Sequence, residues 1–207
     1  MAAAPRCSLL GCGILAAEVH HLIERNGWPV DTDFLPSSLH IDLEKLEAAL
    51  TANLARHPEP AKLVFYGCCH PRMDAMLDAA QTFRTEGQNC VAMLLGHQRF
   101  MDELSAGAFF LLEDWALHWD DAIRVTFGDH PEATREIFQL SNRYILALRT
   151  PCSGDFSAQA RHAAESVGLP LRWLDIGLEQ LEQVLAEALA RCQQHTGPAK
   201  NPVRRTI

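Results

Sequence analysis

Short apolar runs alternate along this chain with longer stretches whose apolar residues recur every three or four positions. Leu9-Leu10 leads through Gly11-Cys12-Gly13 into such a stretch, Ile14 to Glu24, with Ile14, Leu15, Val19, Leu22 and Ile23 as its apolar stripe. Asn26-Gly27 stops that helix. Phe34-Leu35 reads as a short strand, and Pro36 to His40 as a loop. A helix from about Asp42 carries Leu43, Leu46, Leu50 and Leu54 on one face and ends before Pro58. Leu63-Val64-Phe65-Tyr66 is the continuous apolar run of a parallel strand buried on both faces. Pro71 then suits the first turn of a helix bearing Met73, Met76 and Leu77.

The second half repeats the alternation. Cys90 opens a helical pattern that runs through Phe100 to Leu104, and Ala108 to Leu112 reads as a strand. Glu113 to Ala122 and Pro131 to Leu140 are helical, Tyr144 to Leu148 a strand, and Phe156 to Val167 a helix. Leu171 to Leu174 is the last strand and Leu178 to Cys192 the last helix. Strands and helices at this spacing predict an α/β protein, Rossmann-like, with a mostly parallel sheet flanked by helices. Residues 1–195 read as one domain, with a lobe boundary and cleft allowed near residue 105, and residues 196–207 as a flexible tail.

Composition narrows the function classes. A net charge of -8 over 207 residues argues against nucleic acid, whose phosphates call for clustered Lys and Arg. No apolar run approaches the roughly 20 residues of a membrane span, and the start lacks a signal-peptide pattern, so a cytoplasmic setting is expected. There, seven cysteines, an odd number, do not suggest a disulfide framework. Cys7, Cys152 and Cys192 read as packing residues.

The remaining cysteines carry the candidate chemistry. Cys12, the Cys68-Cys69 pair and Cys90 each fall where an expected strand runs into an expected helix. In an open α/β sheet those ends line the ligand crevice, and helix N-termini favour thiolates. Three thiolates suit an iron–sulfur cluster with one iron left open, or zinc with one further ligand. His40 and His70 belong on the same rim and are the candidate catalytic histidines.

A dinucleotide reading competes, because Gly11-Cys12-Gly13-Ile14-Leu15-Ala16 fits G-x-G-x-x-A. It also requires an acidic residue at the far end of the second strand, and Asp31 and Asp33 precede Phe34-Leu35 instead. No G-x-x-x-x-G-K and no D-x-H-x-x-G is present.

With these residues the chain resembles an uncharacterised family, the domain of unknown function numbered 1638, from about Leu9 to Tyr144. The resemblance rests on Gly11-Cys12-Gly13, Ser38-Leu39-His40, Tyr66-Gly67-Cys68-Cys69, Cys90 with Leu94-Leu95-Gly96, and Gly107 to Leu111. The family pattern has one cysteine in its second block, which falls on Cys69. It therefore implies Cys12, Cys69 and Cys90 as the metal ligands. Members look associated with corrinoid-dependent methyltransferases, which implies one-carbon or sulfur chemistry and a corrinoid or methyltransferase protein partner. The expected function is a cysteine-ligated metal protein, iron–sulfur or zinc, that binds a small molecule at an open metal position. It would be a transferase- or lyase-type enzyme or an accessory factor, the alternatives being a metal carrier without turnover and an NAD(P)-binding oxidoreductase.

Overall fold

The computed structural model describes residues 6–195. Six strands form two all-parallel sheets, ordered β2-β1-β3 and β4-β5-β6. The first contains β1 (Cys7–Cys12), β2 (Val30–Leu35) and β3 (Lys62–Phe65), and the second β4 (Ala108–Leu111), β5 (Tyr144–Arg149) and β6 (Leu171–Asp175). The α/β expectation of parallel strands flanked by helices holds, and the change of sheet falls between residues 65 and 108. The expected tail, 196–207, lies outside the described residues.

The central strand β1 is built for burial. Leu9 and Leu10 are fully buried, and β1 pairs Cys7 with Val30 on one side and Ser8 with Lys62 on the other. Gly11 faces Phe65 across the sheet, where an added Cβ would lie 2.7 Å from that of Phe65. This glycine therefore serves close strand packing. A three-residue 3-10 turn, Gly13–Leu15, joins β1 to helix α1 (Ala16–Asn26). Gly27, at φ 61°, closes α1 in the left-handed conformation and donates to the Ile23 and Glu24 carbonyls.

Helix α2 (Leu43–Arg56) is capped by Asp42, whose carboxylate accepts from Lys45 N at 3.1 Å. Helix α3 (Met73–Ala79) follows the loop after β3. The single long helix expected after Cys90 is two helices, α4 (Cys90–Leu95) and α5 (His97–Ser105), because Gly96 sits at φ 78°. The stretch after β4 is likewise divided, into α6 (Glu113–Leu117) and α7 (Trp119–Phe127). Helices α8 (Pro131–Ser141) and α9 (Ser157–Val167) flank the second sheet.

The two sheets share a core through β5, whose side chains alternate between faces. Tyr144, Leu146 and Leu148 join the large cluster built on β1 and β3, while Ile145 and Ala147 join a second cluster with Trp119, Phe138 and Phe156. Helix α10 (Glu179–His195) then returns from the second sheet to the first. Its Leu181, Leu185, Ala188, Leu189 and Cys192 all lie in the first cluster. This return corrects one expectation. Cys7 and Cys192 are not merely packed but joined in a disulfide, buried to 2% and 1% exposure, that ties β1 to α10. Among the described residues no helix is long and apolar enough to cross a membrane.

Candidate functional site

Three chain segments meet beyond the ends of β1 and β3. Cys12 is the last residue of β1, Cys69 lies in the loop after β3, and Cys90 is the first residue of α4. No full strand precedes Cys90, contrary to expectation. The segment before it makes a single parallel bridge, Val64 to Arg84, with Thr85 N donating to Val64 O at 2.9 Å. That bridge extends the edge of the first sheet just far enough to deliver Cys90 beside the other two. Asn89 caps α4 by accepting from Ala92 N at 2.8 Å.

Cys12, Cys69 and Cys90 line one small, largely enclosed cavity, together with His40, Phe65, Tyr66, Gly67 and Met93. Cys12 is buried, and Cys69 and Cys90 are half-buried. Among the described residues, no group of three or more His, Cys, Asp or Glu side chains is placed to hold a single ion as it stands. The thiols converge without closing on a point.

Gly67 permits the convergence. A Cβ there would lie 2.6 Å from Asn89 Cα and would also collide with the Gln88 carbonyl, which accepts from Cys68 N at 2.7 Å. Because both obstacles are backbone, Gly67→Ala should drive the loop carrying Cys69 away from the loop carrying Cys90. We expect a loss of about 1–3 kcal/mol, the usual range for overpacking, read from the urea midpoint.

The vicinal pair is resolved by orientation. Cys69 lines the cavity, whereas Cys68 is exposed and receives a hydrogen bond from Arg84 Nη2 at 3.3 Å. The histidines also part company. His40 stacks on Tyr66 with ring centroids 5.7 Å apart. Its Nδ1 donates to the Ser37 carbonyl at 3.0 Å and lies 3.7 Å from Cys12 Sγ. Since a carbonyl can only accept, Nδ1 carries the proton, and the ring holds Cys12 from the side. Burial pushes the His40 pKa down, so the ring is neutral at neutral pH. His70 does not line the cavity. Its Nδ1 accepts from Arg72 N at 3.0 Å and its Nε2 lies 3.5 Å from Glu47, so it braces the loop after β3 against α2.

Burial dominates the electrostatics, against the expectation that helix N-termini would lower the thiol pKa values. Burial pushes Cys12 up to about 12, opposed by a backbone hydrogen bond at Ile14. Cys90 and Cys69 are raised for the same first reason, with smaller backbone contributions pulling down. Burial therefore favours the thiol form at all three, and thiolates buried together call for a cation. The sign of the pH dependence follows. A native thiol at about 12 keeps its proton where the unfolded one, at an ordinary 9.0, has lost it. The stability this gives is complete below pH 9 and disappears as pH rises towards 12. Cys12 alone should cost about 1.4 kcal/mol per pH unit across that window, measurable as a falling urea midpoint in metal-free protein.

Tyr66, which the sequence offers as the end of an apolar run and as part of the Tyr66-Gly67-Cys68-Cys69 block but not as a site residue, also lines the cavity. It is 2% exposed, and its hydroxyl has no hydrogen-bond partner among the described residues. Following the carboxyl ends of β1 and β4, a separate cleft of about 280 Å³ runs between Gly13, Ile14 and Glu18 on one side and Leu112, Glu113 and Asp114 on the other. Glu18 accepts a hydrogen bond from Thr150 at 2.7 Å, and Ser37 donates to Asp114, so both walls are pinned.

Comparison with known proteins supplies the lineage. The family model described as protein of unknown function (DUF1638) matches residues 34–185, most of the chain. The chain is a member of the DUF1638 family. The match begins beyond Gly11-Cys12-Gly13 and runs past Tyr144, so it is displaced from the span expected from the motifs. His40, Tyr66, Cys69 and Cys90 of this DUF1638 protein lie inside it, and Cys12 lies before it. No curated protein matches the chain.

The glycines that suggested a dinucleotide have structural duties in this DUF1638 protein. Gly11 makes room for Phe65, and Gly13 approaches the Leu35 carbonyl, 3.1 Å from where a Cβ would lie. Strand β2 ends at Leu35, followed by Pro36, with no acid at that end. Asp31 instead pairs with Arg6, and Asp33 accepts from Asn53, Arg56 and His57.

Proposed function

We propose that this protein is a cysteine-ligated metal protein in which Cys12, Cys69 and Cys90 hold an iron–sulfur cluster with one position left for an exogenous ligand. The observation that carries this reading is the meeting of three thiols, drawn from segments far apart in sequence, on one enclosed cavity. The donor set fits the group, since three cysteines leave one iron of a four-iron cluster unclaimed by the protein. The thiols do not close on a point. A cluster, whose own iron and sulfide span between cysteines, asks for less closure than a single zinc with bonds of about 2.3 Å.

The bound group would supply Lewis acidity toward a small oxygen- or sulfur-bearing ligand. The rest falls to the chain. His40 holds Cys12 through its neutral ring. Phe65, Tyr66 and Met93 line the cavity with the thiols, and we assign the small molecule's approach to the cleft bounded by Glu18, Glu113 and Asp114, whose wall begins at Gly13, next to Cys12 in the chain. His70 acts indirectly, by fixing the loop that presents Cys69.

A carrier that hands metal to a partner is the second reading, favoured by the exposed Cys68 next to Cys69. A corrinoid or methyltransferase protein is the proposed partner in either case. A cytoplasmic setting suits thiols that must stay reduced to take metal, and the Cys7–Cys192 bridge is shielded from reductants by burial.

Anaerobic purification followed by iron, sulfide and zinc analysis and a visible spectrum tests the assignment. Iron and sulfide in equal amounts, with the broad visible absorption of sulfide-to-iron charge transfer, is the expected result. Zinc alone would replace the cluster by a mononuclear site, and neither metal after reconstitution would end the reading.

A further inference from the structure

We propose that Tyr66 donates a hydrogen bond to a small anionic ligand bound at the open position of the cysteine site. The inference rests on the metal-site reading above and extends it to the class of ligand. Among the described residues two buried side-chain polar atoms lack a partner, Asn53 Oδ1 and the Tyr66 hydroxyl. The Asn53 amide is already engaged through its nitrogen with Asp33, at 2.8 Å. No described residue engages the Tyr66 hydroxyl, and it belongs to a residue that is 2% exposed, in the wall of the cysteine cavity.

An orphaned buried hydroxyl costs free energy, and phenylalanine would fill the same wall without that cost. No side chain among the described residues pairs with the Tyr66 hydroxyl, the three cysteine sulfurs and the His40 ring on the same cavity included. Phe65 and Met93 are apolar, and Nδ1 of His40 is committed to the Ser37 carbonyl. We assign the missing acceptor to a bound group. A group bound through one atom to a metal at the three cysteines, and carrying a lone pair toward Tyr66, satisfies both vacancies. Hydroxide, hydrosulfide and cyanide are of this class, whereas an uncharged alkyl ligand is not. No bond is made or broken by Tyr66. It positions the ligand.

Cyanide is the probe, because its C≡N stretch reports both binding and hydrogen bonding at nitrogen whichever metal is bound. With reconstituted full-length protein, Tyr66→Phe should leave metal content unchanged, weaken cyanide binding at least about tenfold and shift the stretch, as loss of a hydrogen bond to a charged group requires. Metal-free Tyr66→Phe should also melt at or above the wild-type temperature, since only an unpaired oxygen is removed. Equal cyanide affinity and an unshifted stretch in the two proteins would overturn the inference while leaving the metal site standing. A Tyr66→Phe protein that is less stable, or that does not fold, would also overturn it, by giving the hydroxyl a structural partner. Failure of wild-type protein to take up any metal would remove the metal-site reading and this inference together.

Discussion

Cys69→Ser is expected to abolish metal retention, while Cys68→Ser leaves it unchanged. The two residues are adjacent, so a general disturbance of the loop would affect both variants. The structure separates them by direction, Cys69 toward the cavity with Cys12 and Cys90, Cys68 outward against Arg84. Serine keeps the size of cysteine but presents a hard oxygen that does not ionise near neutral pH. Loss of an outer partner of a metal ligand already costs about 10–100-fold in affinity. Loss of a ligand should exceed that, and metal analysis after gel filtration is the measurement. Equal metal content in the two variants would show that Cys69 is not a ligand.

The Cys7–Cys192 bridge carries the largest expected effect on stability. It closes the chain over a separation of 185 residues, joining the first strand to the last helix. Chain-entropy reasoning gives an upper value of about 5 kcal/mol for a loop of that length, and native disulfides commonly contribute about 2–4 kcal/mol. Cys192→Ser should therefore lower the melting temperature by about 10–20 °C at the upper value. Because both sulfurs sit in the core, the free Cys7 thiol left behind should stay protected from alkylation until the protein unfolds. Rapid labelling of Cys7 under native conditions would mean that α10 has detached from the first sheet, and an unchanged melting temperature would show that packing alone holds it.

Much of the framework was legible because local signals agreed with it. The apolar runs at Leu63 to Phe65 and Tyr144 to Leu148 became buried strands, and Asn26-Gly27 and Asp42 marked helix ends where they were expected. The helix breaks were hidden. Gly96 interrupts a pattern whose apolar spacing continues to Phe100, and nothing local announces its positive φ. The disulfide was hidden for a different reason. It depends on α10 returning across the molecule, a tertiary event with no trace near either cysteine.

The site was legible in type more than in detail. Position at segment junctions singled out Cys12, the Cys68-Cys69 pair and Cys90, the family resemblance favoured Cys69 within the pair, and the fold brings Cys12, Cys69 and Cys90 to one cavity. His40 came with them through the segment after β2, but His70 is held by Arg72 N and Glu47 and does not line the cavity. Tyr66 escaped notice because an aromatic residue ending an apolar run reads as core. What marks it out is that its hydroxyl has no partner among the described residues, and that is visible in three dimensions alone.

The central claim is that Cys12, Cys69 and Cys90 act as one metal-binding unit. Differential alkylation of anaerobically reconstituted protein, with each cysteine located by peptide mass spectrometry, tests it most directly. The account predicts that these three thiols are protected together when metal is bound and become reactive together on chelation, while Cys68 reacts throughout. Protection lost independently at the three positions, or equal reactivity with and without metal, would contradict it.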